Sequence, residues 1–233
     1  MSTQIHDRPY IVGHFWDGKK RDFLPLSTDE VGRAEWFYRR IVDNFDIPPR
    51  SVVLLISKFE DGAFTAPLEQ ALTADGYIMG YAEATTFDAP RVETFMRRFD
   101  IPAVLGVTSD TLAGLEAAGH SFEKVFGNAI VWARDKNAYV RLMKVPGITL
   151  RYWTEVGPAA AMECALGKGL HVDAFEWAVE RAADGEILVT SRLGRITPFE
   201  RMSTGIYGTI DDSTCACGSC DPRVNIERVV ERP

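Results

Sequence analysis

Val52-Val53-Leu54-Leu55-Ile56 is an uninterrupted apolar run of strand length, rich in β-branched side chains. A strand with one solvated face alternates polar and apolar residues, so a run with no polar residue predicts a strand covered on both faces, as in a parallel sheet. Upstream, Ser27-Thr28-Asp29-Glu30 has the form of a capping box, and Val31, Ala34, Phe37, Tyr38 and Ile41 follow at helical spacing. A helix is therefore expected to about Phe45, stopped before Pro48-Pro49. Downstream the spacing predicts a helix around Thr65 to Thr73, a strand over Tyr77 to Glu83, a helix over Ala89 to Phe99, and a strand over Ala103 to Val107. A helix over Ser109 to Ala118 and a strand over Val125 to Ala133 follow. Strands alternating with helices in this rhythm imply an α/β fold, a mostly parallel sheet with flanking helices.

The last eighty residues read differently. Thr149 to Glu155, Ala160 to Cys164 and Glu186 to Ser191 are short candidate strands, Ala182 to Gly185 is a turn, and Gly194, Gly205, Gly208 and Gly218 are expected to interrupt any long element. The expected organisation is an α/β domain over residues 1–148 and a small, β-rich, metal-stapled lobe over 149–233, packed as one unit.

That lobe holds all four cysteines: Cys164, then Cys215-Ala216-Cys217-Gly218-Ser219-Cys220, with His171 seven residues after the first. A free thiol gains little from crowding. A C-x-C-x2-C cluster and an upstream Cys/His pair are better explained by a shared tetrahedral ion, most plausibly zinc. Cys164, His171, Cys215 and Cys217 make one closed set, in which Cys220 can replace a member. Four protein donors leave no open position for water or substrate, so the ion is structural. Two disulfides are the alternative, but the opening MSTQIHDRPY has no cationic region followed by an apolar one, and a reducing, cytoplasmic setting is expected.

A formal net charge of −7 argues against a nucleic-acid surface, which needs a basic stripe to displace counterions. No apolar run reaches the roughly 18 residues a membrane-spanning helix requires. With 46% hydrophobic residues, the chain can bury a full core.

Tyr152-Trp153-Thr154-Glu155-Val156-Gly157-Pro158, the Glu163-Cys164 pair and Gly169-Leu170-His171 together resemble the phenylacetate-CoA ligase branch of the adenylate-forming enzymes. There a Tyr-Gly-x-Ser/Thr-Glu motif precedes a Gly-Pro-Gly segment, Glu-Cys and Gly-Leu-His. Glu186-Ile187-Leu188-Val189-Thr190 is similar to that branch's Gly-Glu-Leu-Val-Val-Thr strand, Arg201 to Ile206 to its Tyr-Arg-Thr-Gly-Asp motif, and Cys215-Ala216-Cys217-Gly218 to its Cys-x-Cys-Gly turn. The likeness covers roughly residues 149–224; before that only the rhythm fits. It implies the large N-terminal domain of an adenylate-forming enzyme, with zinc held at the same Cys, His and Cys-x-Cys positions. It also implies that Glu155 would help hold magnesium and ATP phosphates, with Tyr152, Thr154, Thr204 and Gly205 lining the ligand site.

Three departures stand against ATP chemistry. A phosphate loop works because glycines and hydroxyl residues let backbone N–H groups approach the anion, whereas the one candidate, Gly13 to Lys20, carries bulky aromatics. The motif aspartate that accepts ribose hydroxyls is Ile206. The C-terminal lid domain with its catalytic lysine has no counterpart before Pro233. ATP, AMP and magnesium are accordingly doubtful cofactors. The expected role is binding a small carboxylate, acyl or CoA-type ligand for non-adenylating chemistry, as a homo-oligomer or as part of a larger enzyme. An acid–CoA ligase whose lid comes from a partner, and a scaffold without a ligand, are the competing readings. His14, flanked by Phe15 and Trp16, is a candidate general base; packing among aromatics is the plainer explanation.

Overall fold

The computed structural model describes residues 8–230, so most of the opening in which a leader was sought lies outside the described residues. The described chain begins with a hairpin of β1 (Ile11–Trp16) and β2 (Arg21–Leu26), in register from Ile11 opposite Leu26 to Trp16 opposite Arg21. No pattern in the sequence announces this pair. Its turn is closed by the Asp17 carboxylate, which accepts the N–H groups of Lys19 (2.8 Å) and Lys20 (2.7 Å). Those donors are spent on the protein's own aspartate rather than on a phosphate. Helix α1 (Thr28–Val42) starts on the expected capping box: the Ser27 hydroxyl accepts from Glu30 N at 3.3 Å, and Ser27 N donates to Glu30 Oε2 at 2.8 Å.

From here the chain enters the first of two compact units, formed by residues 45–59 and 69–153. Strands β3 (Val52–Ser57), β4 (Ile78–Glu83), β5 (Ala103–Val107), β6 (Ile130–Ala133) and β7 (Thr149–Val156) pair in parallel in the order β4-β3-β5-β6-β7. They are connected through α2 (Gly62–Ala74), α3 (Ala89–Arg98), α4 (Ser109–Ala117), α5 (Phe122–Phe126) and α6 (Lys136–Leu142). Val53 to Ile56 and all of β5 are buried, as the all-apolar run demanded. The core joins Leu54, Ile56, Val104 and Val107 of the strands to Leu112, Leu115 and Leu142 of the helices. One expectation fails locally. Val125 to Ala133 is not a single strand, because Ser121 caps a short helix through Lys124 N (3.4 Å) and the chain turns at Gly127 before β6 begins.

The second unit gathers residues 8–44, 60–68 and 154–230. Strands β8 (Ala159–Glu163), β9 (Leu170–Val172), β10 (Trp177–Arg181), β11 (Glu186–Ser191), β12 (Met202–Asp211) and β13 (Arg223–Val229) pair antiparallel in the order β10-β11-β12-β13-β9-β8. The mostly parallel sheet thus holds for the first unit and gives way here, since connections of a few residues make hairpins and cannot make crossovers. The compact units also cut the chain elsewhere than at residue 148: the hairpin and α1 cluster with the antiparallel strands, because their buried faces and ion pairs are shared with residues 173–195.

Of the glycines expected to fragment this region, Gly194 and Gly218 lie in loops, but Gly205 and Gly208 interrupt nothing. β12 is ten residues long and runs through Gly205 and Gly208. A Cβ at Gly208 would lie 2.0 Å from the Asn225 carbonyl oxygen, so glycine is what lets β13 approach at the bulge beside Tyr207.

Candidate metal centre and the motif residues

Cys164 follows β8, His171 is the middle residue of β9, and Cys215 and Cys217 lie in the loop from β12 to β13. Antiparallel pairing of β9 with both β8 and β13 brings these segments together, and one ligand atom from each residue lies within 4.8 Å of all the others. Cys164 Sγ is 4.0 Å from Cys215 Sγ, and Cys217 Sγ is 3.8 Å from His171 Nε2. A tetrahedral ion with metal–sulfur bonds of about 2.3 Å needs ligand-to-ligand edges of about 3.8 Å, so the donors stand almost at coordination spacing. All four cysteines are free thiols, and two disulfides are not formed. Cys220 is exposed and outside the group, its sulfur 3.8 Å from Thr214 Oγ1.

The electrostatics favour the ligating form at His171 and Cys215 and oppose it at Cys217. Burial pushes the His171 imidazolium below its ordinary range, favouring the neutral ring that offers a lone pair. Burial also raises the Cys217 thiol to about 11. Burial opposes ionisation of Cys215 too, but the backbone N–H of Cys217, hydrogen bonds with Cys217 and Cys164, and the Arg223 charge outweigh it and hold this thiol below its usual value. Three sulfurs and an imidazole, soft and borderline donors in a buried site, are the chemistry of zinc rather than of magnesium or calcium.

The other residues singled out from the sequence scatter. Tyr152 is half-buried in the parallel unit, its ring 5.3 Å from Tyr139. Thr154 and Glu155 are buried where β7 enters the antiparallel unit. In that unit Thr204 is turned inward: its hydroxyl donates to the Ile187 carbonyl at 2.6 Å and accepts from Ile206 N at 3.2 Å. Gly205 N donates to Glu186 Oε1 (2.9 Å), and Ile206 is buried. The strand segment that resembles a nucleotide motif has its Thr204 hydroxyl and Gly205 N–H engaged within the fold. His14 faces across the hairpin to Phe23, ring centroids 4.7 Å apart, and its buried Nδ1 has no hydrogen-bond partner. Packing among aromatics fits this site better than a general base.

What sequence reading missed is a set of buried charges in the antiparallel unit. Arg195, its side chain 5% exposed, lies between Glu30 (3.2 Å) and Glu176 (2.6 Å), with its guanidinium 4.4 Å from the Trp177 ring centroid. Arg33 also pairs with Glu176, and Arg40 bridges Asp173 (3.0 Å) and Asp221 (3.1 Å). Arg33 and Arg40, seven residues apart on α1, mark one helix face, a spacing that solvated arginines share. The cavity beside them, lined by Leu24, Phe37, Phe64, Trp177, Glu176 and Arg195 among others, measures about 30 Å³. That holds a water molecule, not the several hundred Å³ of a pocket for a small organic ligand.

Solved structures that share this fold over nine-tenths or more of the chain include a CoA ligase, an amide bond synthetase and a coenzyme A synthetase. 2-Hydroxyisobutyryl-CoA ligase, solved with 2-HIB-AMP and CoA in its thioesterification state, matches 97% of this chain at TM-score 0.70 and 12% identity. The amide bond synthetase Mcba from Marinactinospora thermotolerans matches 91% at TM-score 0.55, and the O-succinylbenzoate coenzyme A synthetase MenE from Bacillus subtilis, solved with AMP, matches 94% at 0.54, both at 12% identity. The chain spans about half the length of these structures: 53%, 47% and 49% of them. No family model and no curated protein matches the sequence. Among the described residues no helix is long and apolar enough to cross a membrane.

Proposed function

We propose that this chain is a zinc-stapled variant of the adenylate-forming fold that binds a small carboxylate, acyl or CoA-type ligand without adenylating it by itself. It would serve in chemistry that needs no adenylation or as part of a larger enzyme. The observation that carries this reading is the engaged segment Thr204-Gly205-Ile206 within β12: the Thr204 hydroxyl is spent on Ile187, and an apolar side chain stands where the resemblance implies a ribose-binding carboxylate. The ligand class is suggested by the acyl-AMP, AMP and CoA found with the similar structures, and the phenylacetate-CoA ligase branch by the motif residues over 149–224. Cys164, His171, Cys215 and Cys217 would hold the zinc, which as a four-donor site supplies a cross-link and no open coordination position. Free thiols kept for a metal suit the reducing cytoplasm.

The test is a thermal-shift panel of aromatic and aliphatic acids, their CoA thioesters, CoA, AMP and ATP, run beside ATP–pyrophosphate exchange. Stabilisation by an acid or thioester without exchange is the expected result, since a ligand that binds only the native state must raise the melting temperature. Exchange that disappears in Glu155→Gln would instead establish an adenylating ligase. A flat panel would leave a scaffold.

A further inference from the structure

The ion pair between α1 and the metal loop is more than an anchor for the helix. His171 presents Nε2 to the cysteines, its other ring nitrogen, Nδ1, is buried without a hydrogen-bond partner, and the Asp221 backbone lies beside the ring. A ligating histidine keeps its orientation and tautomer when that second nitrogen has an acceptor. Asp221 thus stands directly behind one ligand, and it is four residues beyond another, Cys217. Its buried carboxylate accepts from Ala174 N (2.9 Å), Ser219 Oγ (2.9 Å) and Arg40 Nη2 (3.1 Å), so the last turn of α1 holds the same residue that backs the histidine.

Charge gives this connection a direction. Three thiolates and a neutral imidazole around a divalent ion make a centre of net charge −1. The carboxylates of Asp173 and Asp221 are close by, and the nearby cations are Arg40 on α1 and Arg223 on β13, opposite His171 in the ladder. Arg223 is itself taken up by Asp211 and Ser213. In the loaded centre that charge stands near two buried carboxylates whose shared cation is Arg40.

We propose that Asp221 is a positioning residue of the metal centre and that Arg40 sets the centre's affinity through it. Metal loading and docking of the α1 C-terminal turn are then linked in both directions. Coupling free energies are reciprocal: whatever frees Arg40 weakens metal binding, and metal loss loosens residues 39–43. This coupling rests on zinc being held by Cys164, His171, Cys215 and Cys217.

The test uses the full chain. Zinc affinity is measured by competition with a chromogenic chelator, and the ligand set by the absorption of the cobalt(II)-substituted protein. Arg40→Met, which keeps the stem and removes the charge, is expected to weaken zinc binding about tenfold, within the range for partners behind metal ligands, with the cobalt spectrum unchanged. Arg40→Lys should recover part of the loss. Arg33→Met, on the same helix but paired with Glu176, should leave affinity unchanged. In the wild-type chain, stripping the metal should speed amide exchange in residues 39–43. Equal zinc affinity in wild type and Arg40→Met, or loss of the same size in Arg33→Met, overturns the proposal. If Arg40→Met does not fold, the Arg40→Lys affinity and the wild-type exchange data decide it. Failure of the metal reading looks different: wild-type protein that takes up no zinc, or cobalt protein without thiolate charge-transfer bands.

Discussion

A methyl group separates two glycines with opposite expectations. Gly205 sits at φ +66°, and a Cβ there would lie 2.5 Å from Gly18 Cα in the β1–β2 turn. Both the left-handed backbone and the backbone-to-backbone contact forbid a side chain, and neither obstacle is the movable end of a long residue. Gly205→Ala is therefore expected to destabilise by about 2–4 kcal/mol, adding a positive-φ penalty of about 1 kcal/mol to overpacking. At Gly32, inside α1, an added Cβ would meet nothing within 4 Å. Gly32→Ala should stabilise by about 0.5–1 kcal/mol through helix propensity alone. Urea denaturation of the two variants checks both signs; a neutral Gly205→Ala would mean that the hairpin turn does not rest on β12 in solution. The same residues show the reach of sequence reading. A Thr-Gly pair is visible as a motif, but whether it faces a ligand or a neighbouring turn depends on where Gly18 lies in space. The candidate metal cluster is legible because each donor is a rare residue type at a close spacing, whereas buried arginines such as Arg195 look like surface arginines until their carboxylates are seen.

At the scale of elements, α1 owes its start to a device with two functions. Glu30 closes the capping box with Ser27, and the same carboxylate meets Arg195 at 3.2 Å in a site where both side chains are buried. Removing the cap and removing the charge should therefore differ. Ser27→Ala loses one acceptor for a helix N–H and is expected to cost about 1 kcal/mol. Glu30→Gln keeps the shape but leaves Arg195 with Glu176 as its buried counter-charge, shared with Arg33, and breaking one partner of a buried pair costs about 3 kcal/mol. The ordering, Glu30→Gln worse than Ser27→Ala, is read from denaturant midpoints; equal losses would show the ion pair adds nothing. The box, α1 and β3 are readable because caps and all-apolar runs act locally. The β1–β2 hairpin is not: His14 and Phe23 pair across its outer face while Phe15 and Leu24 fill the inner one, so no alternation marks it. β12 is hidden for a related reason, since its glycines serve close strand approach rather than interruption.

For the molecule as a whole, what matters is that the candidate metal site lies entirely within one of the two compact units. Cys164, His171, Cys215 and Cys217 all belong to the unit of residues 8–44, 60–68 and 154–230, and they join β8, β9 and the β12–β13 loop. β9 is only three residues long and its paired stretches are short, so few ladder bonds oppose its separation. A structural ion contributes its binding free energy to folding, and its removal should be felt where the ligands are. The parallel unit has its own core of Leu54, Ile56, Val104 and Val107, with no member of the cluster among its residues. Chelation is thus expected to raise amide exchange in β8, β9 and β13 while β3, β5 and β6 stay protected. Cys164→Ser should reproduce that pattern without chelator, and Cys220→Ser should not, because Cys220 stands outside the cluster. Exchange mapped by mass spectrometry distinguishes these outcomes. Uniform loss of protection across both units would mean the ion stabilises the chain globally, and no change at all would remove the metal from the description of the fold.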